Sequence, residues 1–342
     1  MESTNATTAT LDLVVFSTHG ERQLVAAFYG IIAVVGTLGN CVVILALLLS
    51  RKLRTVSNVF VVNLSVADLI SSLSIPWQAV AVLSADGWPL PDWMCAIGAL
   101  GVLVPIGCSL NTLTLIAINR FVMVNCTKAT YRKLYQRRWL VLMVVCAWAL
   151  PVAVASVPLM SDFVDLGFDA FFSTCGWDSS NSNSPTYALV LAVVSYPVQL
   201  VTIIACYLAL FVRLCKYHRT ISMRVGPEQP GTSQENSVWN ISGVAPSQQR
   251  PQIRGNYNKR QTEVTKNLFY VVCAFFLCTT PYVVCITQYG TYKLLPYVTI
   301  LLFANSCLNP FIYATKHPDF KKVLACILRC RFSSISGKIH IF

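Results

Sequence analysis

Long apolar stretches alternate with short polar segments along most of the chain. Seven of them are long enough to cross a bilayer, because an apolar core about 30 Å thick takes roughly 20 residues of helix. They run over Leu24 to Leu49, Ser57 to Leu83, Trp93 to Asn119, Trp139 to Met160, Tyr187 to Val212, Asn267 to Tyr292 and Leu294 to Thr315. The pattern predicts an all-α membrane protein, a bundle of seven transmembrane helices that we number as spans one to seven.

Polar segments before, between and after the spans divide the chain further. Residues 1–23 form an N-terminal segment, residues 24–316 the transmembrane domain and residues 317–342 a tail. Within the domain, residues 221–258 are rich in Gly, Pro, Ser, Gln and Asn, so we predict a disordered loop there. The tail opens with a predicted short amphipathic helix, suited to a membrane surface, that places five apolar residues on one face: Phe320, Val323, Leu324, Ile327 and Leu328.

Composition and charge support this membrane interpretation. The chain is 55% apolar and 12% charged, whereas soluble domains carry roughly 25% charged residues. The net charge of +12 does not indicate a nucleic-acid partner, because 24 of the 26 Lys and Arg residues fall in the segments on one side of the predicted bundle. By the positive-inside rule, the N-terminus is extracellular and the C-terminus cytosolic, as expected for a multi-pass protein of the plasma membrane.

The chain has 14 cysteines, and their placement predicts different chemistry for different members. Only Cys95 and Cys175 fall on the oxidising, extracellular side, so we expect them to form a disulfide, with two free thiols as the alternative. Cys326 and Cys330 in the amphipathic tail are candidate palmitoylation sites, and unmodified thiols are the alternative. Asn5, in an Asn-Ala-Thr sequence, is a candidate glycosylation site.

Asp68 is the one charged residue inside the predicted spans. A buried charge in a membrane is costly, so Asp68 needs polar partners and is a candidate functional residue. Candidates at a similar depth are Ser109 in span three and three residues of span seven: Asn305, Ser306 and Asn309. These residues predict either a hydrated pocket able to hold a sodium ion or pass a proton, or a purely structural knot of hydrogen bonds.

Two prolines and one arginine suggest where the bundle could move. Pro281 in span six and Pro310 in span seven each free a backbone carbonyl and are expected to kink their helices. Such kinks allow the cytosolic halves to swing, although each proline alone also fits a static bend. Arg120 closes span three at the cytosolic face, either as a membrane-surface anchor or as a movable contact for a cytosolic partner.

The ordered set of these residues resembles the rhodopsin-like G-protein-coupled receptors across nearly the whole chain. The matching residues are Gly39-Asn40, Leu64 to Asp68, Cys95, Asn119-Arg120-Phe121, Trp148, Cys206-Tyr207, Pro281 and Asn309-Pro310-Phe311-Ile312-Tyr313. Local stretches are most similar to melatonin receptors and insect Moody-type receptors: Ala117 to Arg120, Tyr131 to Tyr135 and Asn305 to Asn309.

The resemblance implies that an extracellular ligand shifts spans six and seven, which opens a cytosolic site where a heterotrimeric G protein exchanges its nucleotide. It mildly favours the inhibitory class of G protein and implies arrestin and receptor kinases as further partners. It also assigns coupling and activation to six residues: Asn119, Arg120, Tyr207, Pro281, Pro310 and Tyr313.

Four departures from the family pattern qualify these expectations. Asn119 replaces the usual acid, and Thr279 stands where a Trp is usual. Pro197 lies ten residues before Tyr207 rather than eight, and Pro158 stands where melatonin receptors have an Asn.

The residues of the outer halves of the spans indicate an uncharged ligand. Val102 occupies the position where amine receptors of the family carry Asp, and Lys and Arg are missing from these halves. An ion buried without a partner is costly, so we expect a neutral, lipid-like or aromatic ligand. Candidate lining residues, each of which could equally be packing core, are Val102, Ile106, Trp177, Tyr196, Gln199, Phe276, Tyr282, Gln288 and Phe303.

Other function classes fit the sequence less well. A transporter or channel would be expected to carry further intramembrane charges beside Asp68. A light receptor needs a buried Lys for its retinal Schiff base, but Phe303 occupies the family's attachment position. Nothing in the sequence suggests an enzyme, because neither a cluster of metal ligands nor a pairing of a nucleophile with a general base is evident on the outer or inner face.

Overall fold

A computed structural model describes residues 15–160, 163–224, 249–288, 292–316 and 318–335 of the chain. Seven of the described helices are long and apolar enough to cross a membrane. Spans one to seven lie in the helices His19–Leu49, Val56–Leu83, Asp92–Asn125, Arg137–Ala155, the helix pair Ser184–Ser195 and Pro197–Arg224, Gln249–Thr287 and Leu295–Lys316. The parts of the fifth and sixth that are apolar enough to cross a membrane are Ser184–Arg213 and Thr265–Thr287. Two shorter helices follow spans three and seven: Lys128–Leu134 and Pro318–Leu328.

Hydrogen bonds and prolines set several helix ends that the apolar pattern alone placed elsewhere. Span one starts at His19, five residues earlier than predicted, because Thr18 Oγ1 accepts from the backbone N–H of Glu21 at 3.2 Å and caps the helix. Span four ends at Ala155, and after a turn at Ser156 a separate helical turn, Val157–Met160, covers the rest of the predicted span. Pro158 has no N–H to continue the hydrogen-bond ladder of span four. Span three continues past Arg120 to Asn125.

The predicted disordered loop is also corrected at both flanks. Span five reaches Arg224 and span six begins at Gln249, so the ends of the 221–258 stretch are helical. Polar composition shows that a segment cannot form its own core, but extending an existing helix needs only one backbone hydrogen bond per added residue. Residues 225–248 and the candidate glycosylation site Asn5 lie outside the described residues.

Span five is interrupted in the middle. Its two helices meet at Tyr196, whose φ of −120° and ψ of −54° depart from helical values. Pro197 follows directly; it has no N–H to donate and restricts the conformation of the preceding residue. The upper half of span five (Ser184–Ser195) and the lower half (Pro197–Arg224) are therefore separate helices.

Two spans organise the bundle. Span three packs against spans two, four and five, and span seven packs against spans one, two and six. We call the end that carries Cys95 the disulfide end and the opposite end, which carries Arg120, the arginine end. Each end has its own cluster of buried apolar side chains.

A β hairpin lies across the disulfide end and was missed by the sequence analysis. Strand β1 (Leu166–Asp169) pairs antiparallel with strand β2 (Thr174–Trp177), with Phe168 opposite Cys175. Four-residue strands inside a loop give little alternation to detect. The hairpin matters because β2 carries one half of the disulfide.

The helix after span seven buries Phe320, Val323, Leu324 and Ile327, but Leu328 is 72% exposed. At 100° per residue, Leu328 lies about 80° around the helix from Phe320, at the edge of the apolar stripe. The backbone N–H groups of Cys330 and Arg331 then close the helix by donating to the carbonyls of Ile327 and Cys326.

Gly39 brings span one against the ring of Pro310 in span seven. A Cβ atom added at Gly39 would lie 3.0 Å from both Cβ and Cγ of Pro310, whereas at Gly30 on the same helix it would meet nothing within 4 Å. We expect Gly39→Val to lower the free energy of unfolding by about 1–3 kcal/mol through overpacking.

Gly30→Val is the matched control, because both variants gain the same helix propensity and only one meets a neighbour. Thermal unfolding of the two purified variants measures the difference. Equal melting temperatures would show that spans one and seven do not pack this closely.

Candidate functional site

A cavity of about 810 Å³ opens at the disulfide end of the bundle. Its volume falls within the roughly 300–1,000 Å³ that small-molecule sites occupy. Spans two, three, five, six and seven form its walls, and the hairpin covers it. The described residues that line it include aromatic, aliphatic, hydroxyl and amide side chains and no charged one.

The structure divides the nine predicted lining residues into two groups. Five line the cavity: Val102, Trp177, Tyr282, Gln288 and Phe303. Four lie outside its lining: Ile106, Tyr196, Gln199 and Phe276. Ile106 packs one turn below Val102 in the same apolar cluster.

The other three contact neighbouring helices below the cavity. The Tyr196 hydroxyl lies 2.6 Å from Thr280 Oγ1, and its ring meets Phe276 edge to face. Gln199 Nε2 donates to Asn111 Oδ1 at 3.2 Å and so joins spans five and three. These contacts hold the bundle together near the break in span five.

The hairpin is fastened over the cavity by two attachments, both at Cys175 of its second strand. Cys175 forms the disulfide with Cys95 of span three, as the sequence predicts. Gln78 of span two pairs with the backbone of the same residue, donating from Nε2 to the Cys175 carbonyl at 2.8 Å and accepting its N–H at 3.0 Å. Gln78 was not predicted from the sequence, although an amide near the end of an apolar span is a signal that could have found it.

The turn between the two strands places Phe171 and Phe172 in the cavity lining. Asp169 holds this turn, because its carboxylate accepts from the backbone N–H groups of Phe172 at 2.9 Å and Ser179 at 2.7 Å. Carboxylates that accept backbone N–H groups make strong, charge-assisted hydrogen bonds. Phe171 and Phe172 form an aromatic roof over the cavity, and Asp169 fixes their turn and ties it to the segment after β2.

Arg22 fastens the hairpin to the start of span one. Its guanidinium donates to the Val82 carbonyl and the Ser173 hydroxyl, both at 2.9 Å, and lies over the Phe16 ring at 4.9 Å. Phe16 itself is buried in the cluster that includes Phe171 and Phe172. Arg22 was not singled out from the sequence.

Asp68 lies in the middle of the bundle and joins three helices. Its carboxylate accepts from Asn309 Nδ2 at 2.6 Å and from Ser109 Oγ at 3.3 Å. The structure therefore brings three of the five predicted network residues into direct contact. Spans two, three and seven are linked at one buried carboxylate.

The other two predicted network residues, Asn305 and Ser306, lie on span seven but do not bond to Asp68. The Ser306 carbonyl accepts from Asn40 Nδ2 at 2.9 Å, which ties span one to span seven. Asn305 lies one turn from Asn309. The buried Oδ1 atoms of both residues have no hydrogen-bond partner. Hard cations prefer oxygen ligands, so the Asp68 carboxylate, the Ser109 hydroxyl and the Asn305 amide oxygen have the donor chemistry that a sodium ion needs.

At the arginine end, Asn119 and Arg120 are both buried inside span three. Asn119 Oδ1 accepts from the Ser57 hydroxyl at 2.8 Å, and its Nδ2 donates to the Tyr131 hydroxyl at 3.2 Å. Asn119 therefore connects span three to span two and to the helix Lys128–Leu134. Arg120 is only 4% exposed, so it is not a surface anchor.

Two tyrosines, the half-buried Tyr207 and the buried Tyr313, face the core of the arginine end. Tyr207 meets Phe269 of span six edge to face, and Tyr313 stacks on Phe320 of the last helix. Both hydroxyls are buried without a hydrogen-bond partner. Such orphaned polar groups cost free energy and are candidates for partners in another arrangement of the helices.

Pro281 and Pro310 lie inside continuous helices. Near Pro281, the Thr279 hydroxyl donates to the Phe275 carbonyl at 2.6 Å, so the residue that replaces the usual Trp bonds its own helix. In the tail, Cys330 is exposed and Cys326 is half-buried.

Comparison with known proteins identifies the family. Residues 39–313 match the 7 transmembrane receptor (rhodopsin family) description. The chain is 32% identical to a melatonin receptor type 1B-B of Danio rerio, over 84% of the chain and 77% of the relative. It is 25% identical to the G-protein coupled receptor moody of Drosophila melanogaster over 88% of the chain, but it spans only half of that relative's length.

A solved structure supports the same fold. Squid rhodopsin superposes with a TM-score of 0.75 at 19% identity, covering 93% of this chain and 88% of that one. The bundle geometry and the matched segment agree with the motifs in the sequence. The chain therefore belongs to the rhodopsin family of seven-transmembrane, G-protein-coupled receptors.

Proposed function

We propose that this receptor resides in the plasma membrane with its disulfide end outside and its arginine end in the cytosol. A ligand in the cavity favours arrangements in which spans six and seven move outward at the arginine end, and the opened site promotes nucleotide exchange on a G protein. The main support for this proposal is the linkage at Asp68. It joins spans two, three and seven between the cavity and Arg120. The predominance of Lys and Arg in the segments of one side supports the orientation.

The cavity supports an uncharged ligand, lipid-like or aromatic. Its described lining offers Val102 and Phe303 on the deep walls and Tyr282 and Gln288 on span six, without a counterion for a charged group. An ammonium or carboxylate buried there would lose its hydration without gaining an opposite charge.

Partners at the arginine end follow from the family. We propose a heterotrimeric G protein, of the inhibitory class, as the main partner, with arrestin and receptor kinases acting on the same face. The buried pair Asn119 and Arg120 and the orphaned hydroxyls of Tyr207 and Tyr313 supply groups that a change in helix packing could expose or re-pair.

Three smaller assignments stay proposals. A sodium ion held by Asp68, Ser109 and Asn305 would supply a positive charge that favours the closed packing of the three linked helices. Cys326 and Cys330 are placed to carry palmitate beside an amphipathic helix, and Asn5 to carry a glycan on the outer side.

Nucleotide exchange by purified heterotrimers, measured with the receptor reconstituted in lipid nanodiscs, tests the proposed function. We expect faster exchange than with empty nanodiscs and loss of this effect in Arg120→Ala. Lys293→Ala, which removes an exposed positive charge near the disulfide end, serves as the control. The proposal would be contradicted if nucleotide exchange stayed at the rate of the empty nanodiscs for every G-protein class, with every ligand of a broad neutral library.

We expect appreciable ligand-independent signalling, because Asn119 cannot hold Arg120 by charge as an acid would. Asn119→Asp should stabilise the closed state, and a shift of about 1.4 kcal/mol would lower the open population up to tenfold. Signalling of cells at matched surface expression measures this. Gln23→Glu makes the same amide-to-carboxylate change at an exposed position of span one and should change little. An unchanged or higher basal signal in Asn119→Asp would contradict the prediction.

A further inference from the structure

The exposed residues of the cavity lining are concentrated on one side. On span five, Leu189 is 55% exposed, and Pro185 and Thr186 are exposed as well. On span six, Thr287 and Gln288 are exposed. Lining residues of spans two, three and seven are buried or half-buried, as with Val102 at 7% and Phe303 at 2% exposure. Among the described residues, the cavity thus opens between spans five and six.

Among the described residues, fixed contacts hold the roof over the cavity. The hairpin is attached to span three by the disulfide and to span two by the paired hydrogen bonds of Gln78. Asp169 fixes the turn that carries the aromatic roof, and Arg22 joins it to span one. Lifting this roof would require several buried or charge-assisted bonds to break together. Entry through the side opening requires none of them to break.

The side opening faces apolar surroundings. Leu189 continues into a series of exposed apolar residues on the upper half of span five, including Val190 and Val193, and Val284 is exposed on span six. Large exposed apolar surfaces on a transmembrane helix face lipid. The upper half of span five is also a separate helical piece, because the chain breaks at Tyr196. It can therefore shift without bending the lower half.

The rim of the opening changes from polar to apolar with depth. Its upper part carries the side chains of Ser180, Thr186 and Gln288, and Leu189 and Ile286 lie further into the span. A matching molecule has a neutral hydrogen-bonding head and an apolar body. Charged heads match poorly, because the described lining offers no counterion.

We propose that the ligand of this cavity is an uncharged amphiphile, with a hydroxyl or amide head, that enters from the bilayer between spans five and six. This inference rests on the proposed function of the cavity as the ligand site. It adds the chemical class of the ligand and its route of entry. The bilayer concentrates such molecules beside the opening, so neither a water-filled mouth nor a movement of the roof is needed.

A photoactivatable monoacylglycerol, with a diazirine in its acyl chain and an alkyne for detection, tests the proposal. The probe is dissolved in the lipid of nanodiscs that hold the full-length receptor, and cross-linked peptides are mapped after illumination. We expect cross-links on the deep walls at Val102 or Phe303, which membrane lipid outside the bundle cannot reach. A lysophosphatidic acid with the same photoactivatable chain should label these walls far less, because its head is charged.

Leu189→Trp narrows the opening and should reduce deep-wall cross-linking about tenfold through overpacking at the rim. Val190→Trp is the matched control, since Val190 is exposed on the same turn but does not line the cavity. Thr287→Trp closes the opening from span six and serves if Leu189→Trp does not fold, as judged by its melting temperature.

Three outcomes would overturn the proposal: no deep-wall labelling of the folded receptor, equal labelling in the narrowed variants, or equal labelling by the charged probe. The assay contains no G protein, so its failure is separate from failure of nucleotide exchange. Labelling without exchange would count against the proposed signalling, whereas exchange without labelling would count against this inference alone.

Discussion

Replacing Cys95 with serine should lower the free energy of unfolding by about 2–5 kcal/mol and reduce the amount of receptor at the cell surface. The bond to Cys175 closes a loop over a sequence separation of 80 residues, so its loss frees the unfolded chain considerably. It also removes one of the two attachments of β2 over the cavity. Unfolding of purified protein and surface labelling of cells measure the two effects.

Cys175→Ser and the double variant should behave like Cys95→Ser, because either change breaks the same bond. Cys146→Ser is the control, since Cys146 is an exposed free cysteine on span four. Peptide mapping under non-reducing conditions gives an independent check. Two free thiols at Cys95 and Cys175, or equal stability of all four proteins, would contradict the predicted bond.

Asp68→Ala should destabilise the receptor by about 2–6 kcal/mol, because two buried donors, Asn309 Nδ2 and Ser109 Oγ, each lose their acceptor at about 1–3 kcal/mol. Spans two, three and seven would then lack their common contact. Asp86→Ala, at an exposed acid near the disulfide end, is the control for losing a carboxylate. Denaturant unfolding of the purified variants measures the difference.

Asp68→Asn separates the charge from the hydrogen bonds. If sodium binds here, sodium at about ten times its dissociation constant should stabilise the native receptor by about 1.4 kcal/mol relative to choline. Asp68→Asn should abolish that difference, because an amide is a weaker ligand for a cation. A melting temperature that sodium raises equally in both proteins would rule out a sodium site at Asp68.

The number of spans, their order and their approximate position were predictable from the sequence. Local signals carried them: runs of apolar residues as long as a bilayer is thick, and basic residues between the runs. Helix ends were less predictable, as span four and the flanks of residues 221–258 illustrate, because caps and prolines act within one turn. Hydropathy averages over several turns and misses them.

Predictions about single side chains succeeded where chemistry restricted the choice of partner. A carboxylate inside a membrane must find donors, so the search for partners of Asp68 reached Ser109 and Asn309. Two cysteines on one side of the bundle could only pair with each other or stay free. In both cases the cost of an unpaired group left few arrangements open.

Residues with several acceptable environments could not be placed from the sequence. Tyr196, Gln199 and Phe276 suit a ligand cavity as well as a contact between helices, and the rotation of each helix decides which one forms. The roof was missed for a related reason. Gln78 meets Cys175 across 97 residues of sequence, and Arg22 meets Ser173 across 151. Such distant pairings arise only when the packed helices bring the two segments together, because no local pattern in either segment encodes its partner.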